Sequence, residues 1–501
     1  METKKFSFVS VILSVICVVF VAEAAAPAAA IGNQQFFWWI LLIITFLLPY
    51  GMVVAELGTT YESDGGLYDW VRNALGDKWG SRVAWYYWIN FPLWIASLAT
   101  LFPDILGMVF GFEFNTLTVI VIELAFVWIV VIMSFFKVSD SEWILNGGAV
   151  LKVAIALAVG GLGIWYACTH GFANDMSPHT FLPDLTSTSA LGYLSIILFN
   201  FMGFEVITTF ASDMKNPARD IPKAIILGGL AIAAIYLFAS FGIGAAIPAD
   251  QIDPDFGMIV AVQTMVGDSP IFAIICIVFL LTLFANMASW SFGVNFVADY
   301  AAKHGNMPAV FAKESAKTGM PNGAAIVNGV VATLCILLQL IPIEAISNGF
   351  FWMLFSVNVV FLLISYIPMF PAILKLRKVD SKRERVFSFP FKGGLMMVCL
   401  IVPAVELVLS IVATVVPLGG GEEELAKIPM LVMVVAIMIL GEVVRVFSKR
   451  NRKPEDEFMG LTPELAEQWL LEEAAQAQSE EQAAEPAPAA AEQAAAPSPQ
   501  G

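Results

Sequence analysis

Charge is what this 501-residue sequence has least of: 14% of its residues are Asp, Glu, Lys or Arg, where soluble domains carry about a quarter. A water-facing surface of ordinary size cannot be built from so few. The five cysteines, Cys17, Cys168, Cys276, Cys335 and Cys399, are scattered. No CxxC pair occurs, so neither a zinc framework nor a disulfide scaffold is expected. Three histidines, His170, His179 and His304, are too few and too far apart for a histidine relay. No GxxxxGK[ST] phosphate loop is present, which argues against ATP hydrolysis. Basic patches that would track a nucleic acid are also missing. The formal net charge of −16 is concentrated at one end, because the residues from Glu455 onward hold eleven acids and no base.

What fills the chain is apolar. Hydrophobic residues make up 58% of it and the mean hydropathy is +0.79, which places the chain in lipid. About 20 apolar residues cross a bilayer. Twelve runs meet that length: roughly 6–31, 36–58, 83–110, 117–136, 147–167, 190–211, 223–247, 271–300, 323–342, 349–374, 394–417 and 428–447. No alternating strand pattern accompanies them, and lipid forbids unpaired backbone, so an all-α integral membrane protein with twelve transmembrane helices is expected. With the N-terminus inside, 24 of the 26 Lys and Arg fall on the cytoplasmic side or at its membrane edge; Lys427 lies outside and Lys152 within a span. That asymmetry places both termini in the cytoplasm.

The first run poses a question. Val18–Gly32, VVFVAEAAAPAAAIG, follows a charged start and contains Ala-x-Ala, as a cleavable secretory signal does. It also contains an acid, Glu23, and Pro27, which lacks the N–H of an unbroken helix. The sixth run answers it in part. Asn200, Gly203 and Glu205 lie in its middle; glycine weakens a helix interior, and an acid at that depth is costly unless paired or facing a cavity. The alternative there is a packing glycine beside an acid that faces the bundle. Glu23 and Glu205 lie in corresponding places of two five-span halves, residues 1–167 and 190–374, with residues 394–447 as two further spans. Interrupted helices at equivalent positions point to an inverted-repeat transporter with its site at the membrane midplane.

Three stretches carry a family resemblance. EVITTFASDMKNPARDIPKAI (205–225) resembles the sixth-helix and following loop signature of the amino acid–polyamine–organocation transporters. AELGTTYESDGGLYDWVRNALG (55–76) is similar to the end of their second helix, and ADYAAKHGNMPAVFAKESAKTGMPNGAA (298–325) to the loop before their ninth. The resemblance implies a five-plus-five inverted repeat (LeuT-like) with broken helices 1 and 6, and it implies that Val18–Gly32 is retained. It places substrate at the two breaks: Val21, Ala22, Glu23 and Ala24 on one side, Phe199, Asn200, Gly203 and Glu205 on the other. Trp290 resembles an eighth-helix tryptophan of some exchangers, and Trp94 can line the same cavity; for each aromatic, ordinary packing is the competing reading. Where relatives carry a Gly-Ser-Gly-like break, this chain has Val21-Ala22-Glu23. The carboxylate turns the expectation toward a substrate with a prominent positive group, unless Glu23 faces another helix or pairs with Lys152.

By the same resemblance Lys152 stands where sodium-coupled relatives bind sodium, as a proton carrier or a fixed counter-charge; the alternative is a lysine snorkelling to the headgroups. Glu56 and Asp213 are expected in gating or capping, and Asp104, Glu123, Glu406 and Glu442 at helix contacts. The tail, 451–501, reads as a disordered acidic segment, with one possible amphipathic helix over Thr462–Ala475. The expected function is secondary transport of amino acids or related amines by alternating access, coupled to protons or to a counter-substrate, with no cofactor and no metal. A transporter-like sensor, or a membrane-embedded enzyme lacking visible catalytic clusters, is the competing class. A homodimer is left open.

Overall fold

Pro27 stands three residues into a helix, where its missing N–H costs nothing because the first turn has no partners to offer. The helix before it, α1 (Phe8–Val19), ends when Phe20 and Val21 turn extended, with ψ of 120° and 106°. A single 3₁₀ turn, Ala22–Ala24, leads into α2 (Ala25–Ala30). The two helices meet at 55°. The computed structural model describes residues 7–137, 142–183, 188–206, 208, 214–340, 349–448 and 457–484, and every element among them is helical.

Among the described residues, ten further helices are long and apolar enough to cross a membrane, and the bent α1–α2 pair makes eleven. They are α3 (Gly32–Thr60), α5 (Asp77–Phe110), α6 (Thr116–Met133), α7 (Glu142–His170), α9 (Pro217–Ala246), α11 (Pro270–Lys303), α12 (Asn322–Leu337), α13 (Phe350–Tyr366) with its continuation α14 (Met369–Val379), α15 (Gly393–Val415) and α16 (Ile428–Ser448). Short α4 (Gly66–Leu75) joins α3 to α5, and α10 (Gly257–Val266) joins α9 to α11. The expected sixth span corresponds to α8 (Thr188–Phe199) and the turn after it; its far end lies partly outside the described residues. The chain is an all-helical integral membrane protein.

Lipid tails are as apolar as leucine, so helices in a bilayer are held by close packing and buried polar contacts. Both are present. Along the α7–α9 crossing, Gly160 and Gly163 face Gly242 backbone to backbone: a Cβ on Gly163 would sit 2.3 Å from the Gly242 Cα. The long α5 and α13 pack against each other with Trp94, Tyr87 and Tyr366 buried. On the face that carries most of the arginines, buried Glu56 of α3 takes Arg377 at 2.5 Å, Arg385 at 3.1 Å and the Phe389 N–H at 2.6 Å. Tyr61 donates to Asp380 at 3.0 Å, and Asp380 also holds Arg383 at 2.6 Å.

The acidic tail carries a helix where the amphipathic one was expected, and it is docked. Residues 457–484 are described, and α17 (Pro463–Ala484) is helical. Its approach segment pairs with the loop helix: Asp77 N–H donates to Phe458 O at 2.7 Å, and Leu461 N–H to Asn73 O at 2.7 Å. Gly460 has φ +96°, and its Cα packs so close to the Ala74 carbonyl that a Cβ would meet the oxygen at 2.5 Å. Arg72 covers the Phe458 ring at 4.6 Å, and Lys382 and Arg383 reach Glu467 and Glu473 at 2.6 and 3.0 Å. Leu461 and Ala466 are buried. The docking is sequence-local: Phe458, Leu461, Ala466 and Trp469 give the acidic segment one apolar edge.

Candidate functional site

A helix that stops inside the protein leaves its last carbonyls without partners. At the end of α1 these are supplied from three directions. The Trp290 indole N–H donates to Val18 O at 2.7 Å. The ammonium of Lys152, wholly buried on α7, donates to Cys17 O, to Phe20 O and, at 2.6 Å, to Asn286 Oδ1 on α11. An ammonium has three N–H bonds, and all three are used. Lys152 is therefore fixed in the structure and does not snorkel. It also makes no hydrogen bond or ion pair to Glu23. The exposed peptide of Val21 is clamped by Tyr236 of α9, whose hydroxyl accepts the Val21 N–H at 2.7 Å and donates to the Val21 carbonyl at 3.1 Å. Ser240 donates to Ala25 O at 3.1 Å.

The second break is held as firmly. Asn200 closes the last full turn of α8 on Ile196 O, and Phe201 and Met202 tighten it with 3₁₀-type bonds to Leu198 O and Phe199 O. Gly203 then takes φ +108°, a region that L side chains rarely enter, and donates its N–H to the Tyr366 hydroxyl at 3.2 Å. Glu205 accepts Tyr50 OH at 2.8 Å and Tyr87 OH at 2.7 Å, one on each carboxylate oxygen. It is engaged with α3 and α5, which leaves it fastening the break.

Glu23 differs from both. It is 4% exposed, and among the described residues neither of its carboxylate oxygens has a hydrogen-bond partner. Among the other buried polar groups in that condition are the Trp94 indole N–H and both amide atoms of Asn200. Val21, Ala22 and Ala24 add only buried backbone and methyl groups. The Trp94 ring stands edge-on to Phe199 at 5.2 Å and to Trp290 at 5.3 Å, and Phe199 meets Phe355 at 5.6 Å. Trp290 bridges the breaks, bonded to Val18 on one side and pressed against Gly203 on the other. A Cβ at Gly203 would lie 2.8 Å from its ring. A buried carboxylate beside aromatic faces is an arrangement that receives a cation.

Gly203→Ala combines a left-handed backbone with that steric overlap, each costing about 1–3 kcal/mol. The expected outcome is a protein whose melting temperature falls clearly below that of the wild type. An unchanged melting temperature would show that the close Gly203–Trp290 approach relaxes without cost.

The structure thus gathers Val21, Ala22, Glu23, Ala24, Trp94, Lys152, Phe199, Asn200, Gly203, Glu205 and Trp290 around two breaks. Within that set it separates fasteners (Lys152, Glu205, Trp290) from groups left open (Glu23, Asn200, Trp94). Sequence reasoning missed Tyr50, Tyr87, Tyr236, Tyr366 and Asn286. A single hydroxyl or amide on an otherwise apolar span has no spacing signature; the available signal was a polar group at midspan depth. Of the remaining acids, Glu56 holds two arginines, Glu442 joins Arg82 to Arg445 at 2.6 and 2.8 Å, and Glu123 accepts from Gln339. Asp213 lies outside the described residues. No group of three or more His, Cys, Asp or Glu suited to a metal occurs among the described residues.

Comparison with known proteins adds to this geometry. A family model described as amino acid permease matches residues 6–441. A protein named "Probable agmatine/putrescine antiporter", from Lactococcus lactis subsp. lactis, is 49% identical over 445 residues, which is 88% of this chain and 94% of that one. A glutamate/gamma-aminobutyrate antiporter of Lactococcus lactis subsp. cremoris is 22% identical over 58% of this chain and 60% of its own length. A serine/threonine exchanger of Bacillus subtilis is 25% identical over 40% of this chain and 44% of its own.

Proposed function

This chain belongs to the amino acid permease family and is a secondary transporter; from that premise we propose that it exchanges one doubly charged amine for another, agmatine against putrescine, by alternating access. The observation that carries the reading is Glu23, a buried carboxylate left without a partner at the first helix break. A substrate ammonium supplies that partner. An amino acid brings its own carboxylate to the same place, where the like charge repels it strongly at low dielectric. Loss of the substrate carboxylate therefore matches the presence of a protein one. The sequence expectation of a prominently cationic substrate points the same way.

A diamine has a second end. Asn90 shares a face of α5 with Trp94, and Asn358 shares a face of α13 with Phe355, by their helical spacing. Each donates its amide N–H to its own helix, Asn90 to Tyr87 O and Asn358 to Phe355 O at 2.8 Å, leaving a buried Oδ1 without a partner. We assign these two oxygens to the far end of the substrate. Neutral oxygen acceptors from two helices suit a planar, forked guanidinium more than a compact, strongly hydrated ammonium. Asn358→Ala is expected to raise the KM for agmatine about tenfold, from one lost charge-assisted hydrogen bond, and the KM for putrescine less. Equal shifts for the two substrates would place Asn358 outside the site.

Both substrates carry two positive charges, so one-for-one exchange moves no net charge. The saturated Lys152 ammonium supports the same scheme, since a fixed cation in place of a coupling ion leaves the substrates themselves as the coupled species. In this reading both termini face the cytoplasm of a bacterial cell, the two broken helices occupy equivalent places in the two five-span halves, and the half-helices at the breaks move with the substrate. The test is uptake of labelled agmatine into proteoliposomes loaded with putrescine, with agmatine, with arginine or with nothing. Uptake only against internal diamine, insensitive to imposed proton gradient and membrane potential, is expected. Uptake into empty vesicles driven by a proton gradient would overturn the exchange reading.

A further inference from the structure

On the outer surface of the helix bundle, α13–α14 and α15 part to leave a cavity of about 370 Å³ lined by Phe370, Pro371, Leu374, Met397, Ile401 and Val405, among other apolar residues. Its lining runs from Met397 to Leu409 on α15. At 1.5 Å per residue that is about 18 Å, close to half of a hydrocarbon core about 30 Å thick. The groove has the length and chemistry of one acyl chain in one leaflet.

Its end is charged. Lys375 follows Pro371 and Lys378 follows Leu374, each by four residues, so the face that lines the groove becomes basic as α14 leaves the bilayer. Lys392 stands just before α15 begins. Lys378 and Lys392 are exposed and Lys375 is half-buried. Their basic neighbours are consumed: Arg377 and Arg385 by Glu56, Arg383 by Asp380 and Glu473, Lys382 by Glu467. Among the described residues, Lys375, Lys378 and Lys392 make no ion pair. Three cations beside an apolar slot therefore lack an anion among the described residues.

We propose that this groove binds one anionic phospholipid, its acyl chain along α15 and its headgroup on Lys375, Lys378 and Lys392. A second copy of the chain is a poorer occupant. A two-fold dimer would apply the same face to itself and set the lysines of one copy against those of the other at equal depth. A zwitterionic lipid fills the slot but leaves the charge uncompensated.

The test uses the full chain in detergent, with native mass spectrometry and thermal unfolding in the presence of phosphatidylglycerol or phosphatidylcholine of identical acyl chains. Wild type is expected to retain phosphatidylglycerol at least about fivefold better than phosphatidylcholine, and to be stabilised by it. The triple variant Lys375→Gln, Lys378→Gln, Lys392→Gln is expected to lose that preference while agmatine exchange persists. Ala404→Phe, which fills the groove, is expected to lose both lipids with the lysines intact. Equal retention of the two lipids by wild type, or unchanged phosphatidylglycerol binding in either variant, overturns the proposal. So does a wild-type dimer that Ala404→Phe dissociates, which would make the occupant a second copy.

Discussion

Replacing Glu23 with glutamine lowers diamine exchange by at least about 100-fold and does not lower the stability of the ligand-free protein. The two halves of that expectation have different origins. Removing one partner of a buried charge pair costs about 2–5 kcal/mol of binding, and each 1.4 kcal/mol is tenfold. In the empty site the carboxylate has no partner to lose, so the amide relieves the cost of burying an unpaired charge. Thermal unfolding separates the effects: agmatine raises the Tm of the wild type by mass action and leaves that of the Glu23→Gln protein where it was. A variant that unfolds more easily than wild type would show that Glu23 is a structural acid, and would remove the observation on which the proposed function rests.

Lys152→Met is expected to damage both properties together. It removes the donor of Cys17 O, Phe20 O and Asn286 Oδ1. Buried acceptors left unpaired cost about 1–3 kcal/mol each, and these sit at the point where α1 must end. The expected result is a lower Tm, and exchange reduced by about 100-fold in whatever protein folds. Lys152→Arg does not rescue it, since a planar fork cannot direct three donors to acceptors arranged around a single nitrogen. Exchange that survives Lys152→Met but becomes dependent on a proton gradient would reverse the assignment of Lys152 as a fixed charge.

The two breaks were legible in the sequence because each is marked by residues that lipid penalises: Glu23 and Pro27 in one, Gly203 and Glu205 in the other. What each acid does was not. Glu23 and Glu205 look alike as acids in apolar runs, and they differ only in what the fold brings to them. Glu205 meets two tyrosines from helices that begin more than a hundred residues away in the chain; Glu23 meets none. Lys152 posed the same difficulty. Its nearness to a span end suggested snorkelling, whereas its three acceptors come from α1 and α11. In the tail the helix over Thr462–Ala475 was legible, whereas its docking was not, because Phe458 and Leu461 precede the helix and carry no periodic signal. Span positions followed apolar length closely, except where the sixth ran into residues that are not described.

The docked tail bears on how the molecule is made. Phe458 pairs with Asp77 across 381 positions of chain, and a ribosome adds residues in order at about 5–20 per second. The loop helix between α3 and α5 therefore emerges early and waits, its Asn73 and Asp77 edges open, until every span has been inserted. Only then does the last stretch arrive to cover them. The closing contact follows the last described span, so a chain cut just before Phe458 has inserted α1 to α16 and still lacks its fastening.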